Sequence, residues 1–244
     1  MMPRARGIGF GLATHALFAG TVWQLFWFLK GPAEPEGGPA GWAAIIADTA
    51  LAAAFAAPHS LFLAPAVRRR IVTGGLPAPL YGCFFCTTSC LTLLATILLW
   101  QPIDVLVWRW PAPLDACVSW AFAASWLALL WSLHLTGLGW QTGLTPWWHW
   151  VRGVPQPRRV FVERGAYRVL RHPVYLSFLG LIWFAPIVTL DRVVLMGVWT
   201  AYIFVGSVLK DRRLLFFIGE EYRGYQSRVP GYPGVPFGPL SRIR

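Results

Sequence analysis

Six stretches of about 20 apolar residues, at positions 8–29, 42–63, 79–100, 116–138, 174–190 and 193–209, leave this 244-residue chain little that could fold in water. Only 13% of its residues are charged, against about 25% in soluble domains, and no soluble-sized segment remains between the apolar runs. In hydrocarbon every backbone polar group must be satisfied internally, so such runs become helices. The expected fold is an all-α integral membrane protein of about six transmembrane helices. The last two runs are short and separated only by Asp191 and Arg192, so they read as one short helical hairpin. The first run is too long and lacks the small-residue cleavage site of a signal peptide, which makes it a permanent span. Residues 1–244 form a single membrane domain, with four spans in 1–140 and a second half in 141–244.

The net charge of +11 invites a nucleic-acid reading, but its distribution points to a membrane. Six spans put both termini on one side, and all 21 Lys and Arg except Lys30, Arg109 and Arg192 fall there. Glu34, Glu36, Asp104, Asp115 and Asp191 lie on the other side. The positive-inside rule therefore makes both termini and the polar stretches 141–172 and 210–244 cytoplasmic, in a multi-pass protein of the inner membrane. The partner of the basic excess is the lipid bilayer, with no nucleic acid. Residues 31–41, rich in Pro, Gly and Glu, read as a flexible connection outside the cytoplasm. Residues 101–113, with Trp108 and Trp110, read as a loop anchored at the headgroups. The aromatic segment 143–150 is too short to span and is expected along the cytoplasmic interface.

Cys83 and Cys86 form a Cys-x-x-Cys pair, and a helix would bring Cys86 and Cys90 one turn apart. With no second pair and no His at ligand spacing, small packing residues is the preferred reading, and no metal is expected. Two histidines sit where lipid penalises them: His59 after Pro58 in the second run, and His134 near the cytoplasmic end of the fourth. An intramembrane ionisable residue points to function, the alternative being a neutral structural hydrogen bond to a neighbouring helix. The third polar cluster is Gly165-Ala-Tyr-Arg-Val-Leu-Arg-His-Pro-Val-Tyr, ending at Tyr175. Pro173 suits the first turn of a helix, so Arg168, Arg171 and His172 gather at a helix start that favours anions and carboxylates.

This string, the apolar hairpin after it, and Gly219-Glu-Glu-Tyr-Arg-Gly-Tyr-Gln-Ser-Arg-Val-Pro230 resemble the C-terminal half of the isoprenylcysteine carboxyl methyltransferase superfamily. Within it the bacterial methanethiol S-methyltransferase type is the most similar, through Ala56-Ala-Pro-His-Ser60 and the element from His134 to Gln141 as well. The resemblance implies a membrane methyltransferase using S-adenosyl-L-methionine in a cytoplasmic cofactor pocket, with a small thiol or lipophilic substrate arriving from the bilayer. It implies cofactor-binding roles for Tyr167, Arg171, His172, Pro173, Tyr175, Tyr222, Tyr225, Arg228 and Pro230, with His172, Arg171, His134 and His59 as catalytic candidates. The family's Glu-Glu pair is replaced here by Lys210 and Asp211, which leaves two readings: Asp211 takes over the carboxylate's task, or the cofactor is poorly held and the basic run 210–213 is an ordinary positive-inside anchor. Methanethiol to dimethyl sulfide is the preferred reaction. The alternatives are a phospholipid or isoprenylcysteine acceptor, and a catalytically silent member acting as a membrane accessory or interaction protein.

Overall fold

The computed structural model describes residues 3–31, 41–103, 105–158, 161 and 163–243. In chain order its helices and strands are α1 (Arg4–Lys30), α2 (Trp42–Leu63), α3 (Pro65–Thr73), α4 (Tyr81–Leu99), β1 (Leu106–Arg109), α5 (Leu114–Thr136), α6 (Leu138–Gln141), α7 (Leu144–Arg152), α8 (Pro173–Trp183), β2 (Ile187–Thr189), α9 (Leu190–Ile218) and α10 (Glu220–Arg228). Among the described residues five helices are long and apolar enough to cross a membrane: α1, α2, α4 with the 3-10 turn before it, α5 and α9. The connection 31–41 lies outside the described residues except at its two ends, as does Asp104.

The short terminal hairpin needs correction. The fifth apolar run is helical only over the 11 residues of α8, about 17 Å at 1.5 Å per residue, which falls short of a bilayer core of about 30 Å. Pro186 lacks the N–H a helix would need, and the β-branched Ile187, Val188 and Thr189 that follow pair as a strand with β1. The second arm is not short: Asp191 and Arg192, expected to form the turn, are in the first turn of the 29-residue α9.

The chain packs as two compact units that interleave along the sequence. The first comprises residues 1–107, 137–158 and 189–195. Here α7 lies against α1 because Gly7 and Gly11 leave room for two indoles: a Cβ on Gly11 would stand 2.1 Å from the Trp147 ring, and one on Gly7 2.4 Å from Trp150. Trp147 Nε1 donates to the Gly7 carbonyl at 3.0 Å. Gly143, at φ +80°, meets the backbone of Gly82 so closely that a Cβ on Gly82 would be 2.5 Å from the Gly143 Cα. Cys83, Cys86 and Cys90 are buried along α4 and Cys117, in the second unit, is exposed. At the opposite end of the first unit, Arg192 donates to the Phe28 and Leu29 carbonyls that end α1, so α9 begins where α1 finishes. Trp100 Nε1 donates to Asp191 Oδ2 at 3.0 Å, and buried Asp48 accepts from the Gln101 backbone N–H at 2.9 Å.

The second unit comprises residues 108–136, 159–188 and 196–244. Its α5 and α8 approach closely through small residues; a Cβ on Gly180 would lie 2.3 Å from Ser125 Oγ. Between these helices runs an apolar groove of about 630 Å³ whose walls include Ala124, Ala128, Leu176 and Trp183. One end of it reaches Ala166, Leu170 and Pro173.

Candidate functional site

The site is built from three pieces of the second unit: residues 165–175, the later turns of α9, and α10 with the tail after it. Gly165 enters a 3-10 turn at φ +55°, where a side chain would be strained and a Cβ would meet Leu135 at 2.7 Å. That turn holds Tyr167 inward, and the Tyr225 hydroxyl donates to the Tyr167 carbonyl at 2.6 Å. Pro173 occupies the first position of α8 and His172 its N-cap. α10 begins after Gly219, at φ +73°, with Glu220 and Glu221 in the first turn, where the helix dipole favours them. Its buried face sets Tyr222, Tyr225 and Val229 against Phe161, Leu214, Leu215 and Ile218.

Arg171 is 1% exposed, and its guanidinium is spent on the protein itself. Its Nε and Nη2 lie 3.1 and 3.0 Å from Asp211 Oδ2. Nη1 donates to the carbonyls of Val229 at 2.6 Å, Ser241 at 3.0 Å and Gln226 at 3.3 Å, and Nη2 to Pro239 at 3.0 Å. An Arg has five N–H donors, and this set of acceptors engages them all. The backbone N–H of Arg171 donates to the Pro230 carbonyl at 2.9 Å. These bonds form a clasp that ties α9 to the end of α10 and to the C-terminal tail.

Asp211, 4% exposed, is equally engaged: Oδ2 takes Arg171, and Oδ1 accepts from the Tyr222 hydroxyl. His172 Nε2 stands 3.2 Å from the same Oδ1, at ion-pair distance but turned out of hydrogen-bond alignment, so both ring nitrogens are buried without a hydrogen-bond partner. Burial holds the His172 imidazole below its usual range, with Asp211 opposing that shift, and the ring is neutral near pH 7. Tyr175 and Tyr232 flank the ring, each with centroids 5.5 Å away. The Tyr232 hydroxyl shares a hydrogen bond with Ser207 on α9. Burial pushes the Tyr222 phenol up, and the charge of Asp211 adds to it, so Tyr222 stays a donor. Burial likewise pushes up Tyr225.

Lys210, next to Asp211 on α9, turns its ammonium over two rings, at 5.2 Å from the Tyr175 centroid and 5.8 Å from that of Tyr167. These are cation–π distances. Of the other expected site residues, Arg228 is on the surface, with Nη2 2.8 Å from Glu163 Oε1. His134 is exposed in the last turn of α5. His59 belongs to the first unit, where Nδ1 lies 3.1 Å from Ser89 Oγ and the ring touches Phe55 and Phe85. Three members were missed in the sequence, Ser207, Tyr232 and Gln226, the last with its Oε1 buried and unpartnered inside the 219–230 string. Ser207 stands one helical turn before Asp211 and was open to an i, i+4 reading, whereas nothing local marks Tyr232.

A methanethiol S-methyltransferase from a Pseudomonas species is 30% identical over 233 residues, spanning 91% of this chain and 88% of that protein. Methanethiol S-methyltransferase 1 of Bradyrhizobium diazoefficiens is 29% identical over 236 residues, spanning 90% of this chain and 79% of that protein. Nurim of Xenopus laevis is 28% identical over 167 residues, 64% of this chain and 57% of that protein. No protein-family model and no solved structure matches the chain.

Proposed function

We propose a function from one premise: this chain belongs to the methanethiol S-methyltransferase family. It is a membrane-embedded enzyme that transfers a methyl group from S-adenosyl-L-methionine to a small thiol, with methanethiol as acceptor and dimethyl sulfide as product. The observation that carries the reading is the buried neutral His172, with two unpartnered nitrogens, beside the buried carboxylate of Asp211.

The residues fit the donor on two observations. The ring nitrogens of His172 and Oε1 of Gln226 are buried without partners, as groups that await a ligand's hydrogen bonds are. Tyr167 and Tyr175 already carry a cation, the Lys210 ammonium, on their faces. S-adenosyl-L-methionine, when bound, supplies a methyl group on a positively charged sulfur. Tyr167, Tyr175 and Gln226 would hold it, with His172 between Tyr175 and Tyr232.

A thiol is a poor nucleophile until it loses its proton. His172 is the acceptor: in the tautomer that carries its proton on Nε2, the nitrogen 3.2 Å from Asp211 Oδ1, Nδ1 presents a lone pair. Asp211 stabilises the imidazolium that forms, and Arg171 and Tyr222 keep that carboxylate in place. Neutralising charge in a dry, aromatic-walled site is favourable, which suits a step joining a thiolate to a cationic donor. The apolar groove between α5 and α8 ends at Leu170 and Pro173, the chain neighbours of Arg171 and His172, and offers a small thiol a route from the bilayer.

The whole chain acts as one membrane domain, both termini cytoplasmic. α8 with up to about 20 Å of extended chain over residues 184–189 completes a sixth crossing. A reporter active only outside the cytoplasm, fused after the last residue, should stay dark. Purified protein in nanodiscs, given methyl-labelled donor and methanethiol, should release labelled dimethyl sulfide. Transfer to prenylcysteine or phospholipid in its place would reassign the acceptor, and transfer to none would overturn the enzyme reading.

A further inference from the structure

His172 has to become a cation for a thiol to give it a proton, and burial works against that. The charged and titratable groups that face it are Asp211 and Lys210 from α9, Arg171 beside it in the chain, Tyr175 from α8 and Tyr232 from the tail. Asp211 favours the imidazolium, and the two cations oppose it. The two phenol rings remain. Each has its centroid 5.5 Å from that of the imidazole, Tyr175 at 24° to its plane and Tyr232 at 33°, within the reach of about 6 Å over which an aromatic ring attracts a cation. They are not equivalent, because the Tyr175 centroid also lies 5.2 Å from the Lys210 ammonium.

Tyr232, 3% exposed, is set against the imidazole by its neighbours. Its hydroxyl shares a hydrogen bond of 2.5 Å with Ser207, and its ring lies 5.2 Å from that of Phe204, so one face of α9 supports it a turn before Asp211. Gly231 lets the tail come this close: a Cβ there would stand 3.2 Å from His172 Cδ2 and 2.8 Å from the Leu240 carbonyl oxygen, to which the Gly231 N–H donates. Burial pushes the Tyr232 phenol up, so the ring stays neutral.

We propose that Tyr232 is a positioning residue of the methyl transfer, whose ring stabilises the imidazolium of His172. This rests on the reading of His172 as the thiol's base. The S–H bond breaks with its electron pair left on sulfur, the proton forms an N–H bond at Nδ1, and the imidazole gains one positive charge between two aromatic rings. After methyl transfer the proton passes from Nδ1 to water. Asp211 acts at Nε2, whereas Tyr232 acts on the ring as a whole, so it sets how basic His172 is without holding either nitrogen.

The test is the titration of His172, followed by NMR of ring-labelled histidine in full-length protein in nanodiscs, with His172→Gln to assign its signal. The pH profile of dimethyl sulfide formation is measured beside it. Tyr232→Leu should lower the His172 pKa by about one unit, the size of a partly desolvated cation–π contact, and carry the acid limb of the rate profile to lower pH by the same amount. Tyr232→Phe keeps the aromatic face and should keep the wild-type value. Replacing Tyr232 by pentafluorophenylalanine keeps the shape but removes the negative face, and should repeat the Leu shift even if Leu perturbs folding. One pKa shared by tyrosine, phenylalanine and pentafluorophenylalanine would overturn the proposal, and so would a Phe value as low as the Leu one, which would place the effect in the hydroxyl. A shifted titration with an unmoved rate profile would instead overturn the reading of His172 as base, and with it the part of Tyr232 in the reaction.

Discussion

Among the described residues each unit buries one arginine, and the two are used differently. Arg192 of the first unit, 6% exposed, turns its guanidinium to the carbonyls of Phe28 and Leu29 and so caps the C-terminal end of α1, a helix terminus with unsatisfied acceptors. Arg171 of the second unit also collects backbone carbonyls, but adds the carboxylate of Asp211, and that carboxylate then reaches Tyr222 and His172. A guanidinium on carbonyls alone fixes where a helix ends. Joined to a carboxylate, it creates a buried charged centre that a neighbouring imidazole can use. The first unit buries Asp48 and Arg192 apart from each other's hydrogen bonds and packs through glycines that admit indoles, whereas the second gathers Arg171, His172 and Asp211 at one place.

The contrast is open to breakage. Arg171→Met should destabilise the protein most, by about 3 to 5 kcal/mol, since it strands a buried carboxylate, and Arg171→Lys should rescue little because an ammonium cannot fork. Thermal unfolding in detergent measures this. Arg192→Met should cost about 1 to 3 kcal/mol, for carbonyls left without donors, and leave donor binding unchanged. Equal loss of binding in both variants would erase the distinction. Gly11→Ala should cost about 1 to 3 kcal/mol by forcing the Trp147 ring aside, while Gly9→Ala, whose added Cβ would meet nothing within 4 Å, serves as a neutral control.

His172 gives the smallest effect and sharpens the comparison by pH. Its folded value lies below the unfolded one near 6.5, so the unfolded chain binds more protons in acid. Its contribution is fully present above about pH 6.5 and is lost as pH falls below it. The melting temperature should drop between pH 7.5 and 5.5, and part of that drop should vanish in His172→Gln. An identical slope in both proteins would place the titration elsewhere.

The sequence made much of this legible, and its failures have physical causes. Apolar run length located α1, α2, α4 and α5, because a lipid-facing helix needs little else. It could not separate α8 from β2, since residues 174–190 are apolar throughout, although Pro186 followed by three β-branched residues carried the signal. Asp191 and Arg192 looked like a turn because charge between apolar runs usually is one; here the acid suits the first turn of α9 and the base caps another helix. The convergence of residues 165–175 with 219–230 was foreseen through motif resemblance. The Arg171 clasp was not, because most of its partners are backbone carbonyls, which leave no trace in side-chain pattern.

The claim at the centre is that His172, held beside Asp211, takes the thiol's proton in a methyl transfer. The direct measurement is the rate of labelled dimethyl sulfide formation by wild type and His172→Gln from pH 6 to 10, with donor affinity measured alongside. The variant's rate should be about 100-fold or more lower near pH 7, with donor affinity within a few fold of wild type and a deficit that narrows as the thiol ionises unaided at high pH. A variant as fast as wild type at pH 7, or a deficit that stays constant across the range, would contradict it.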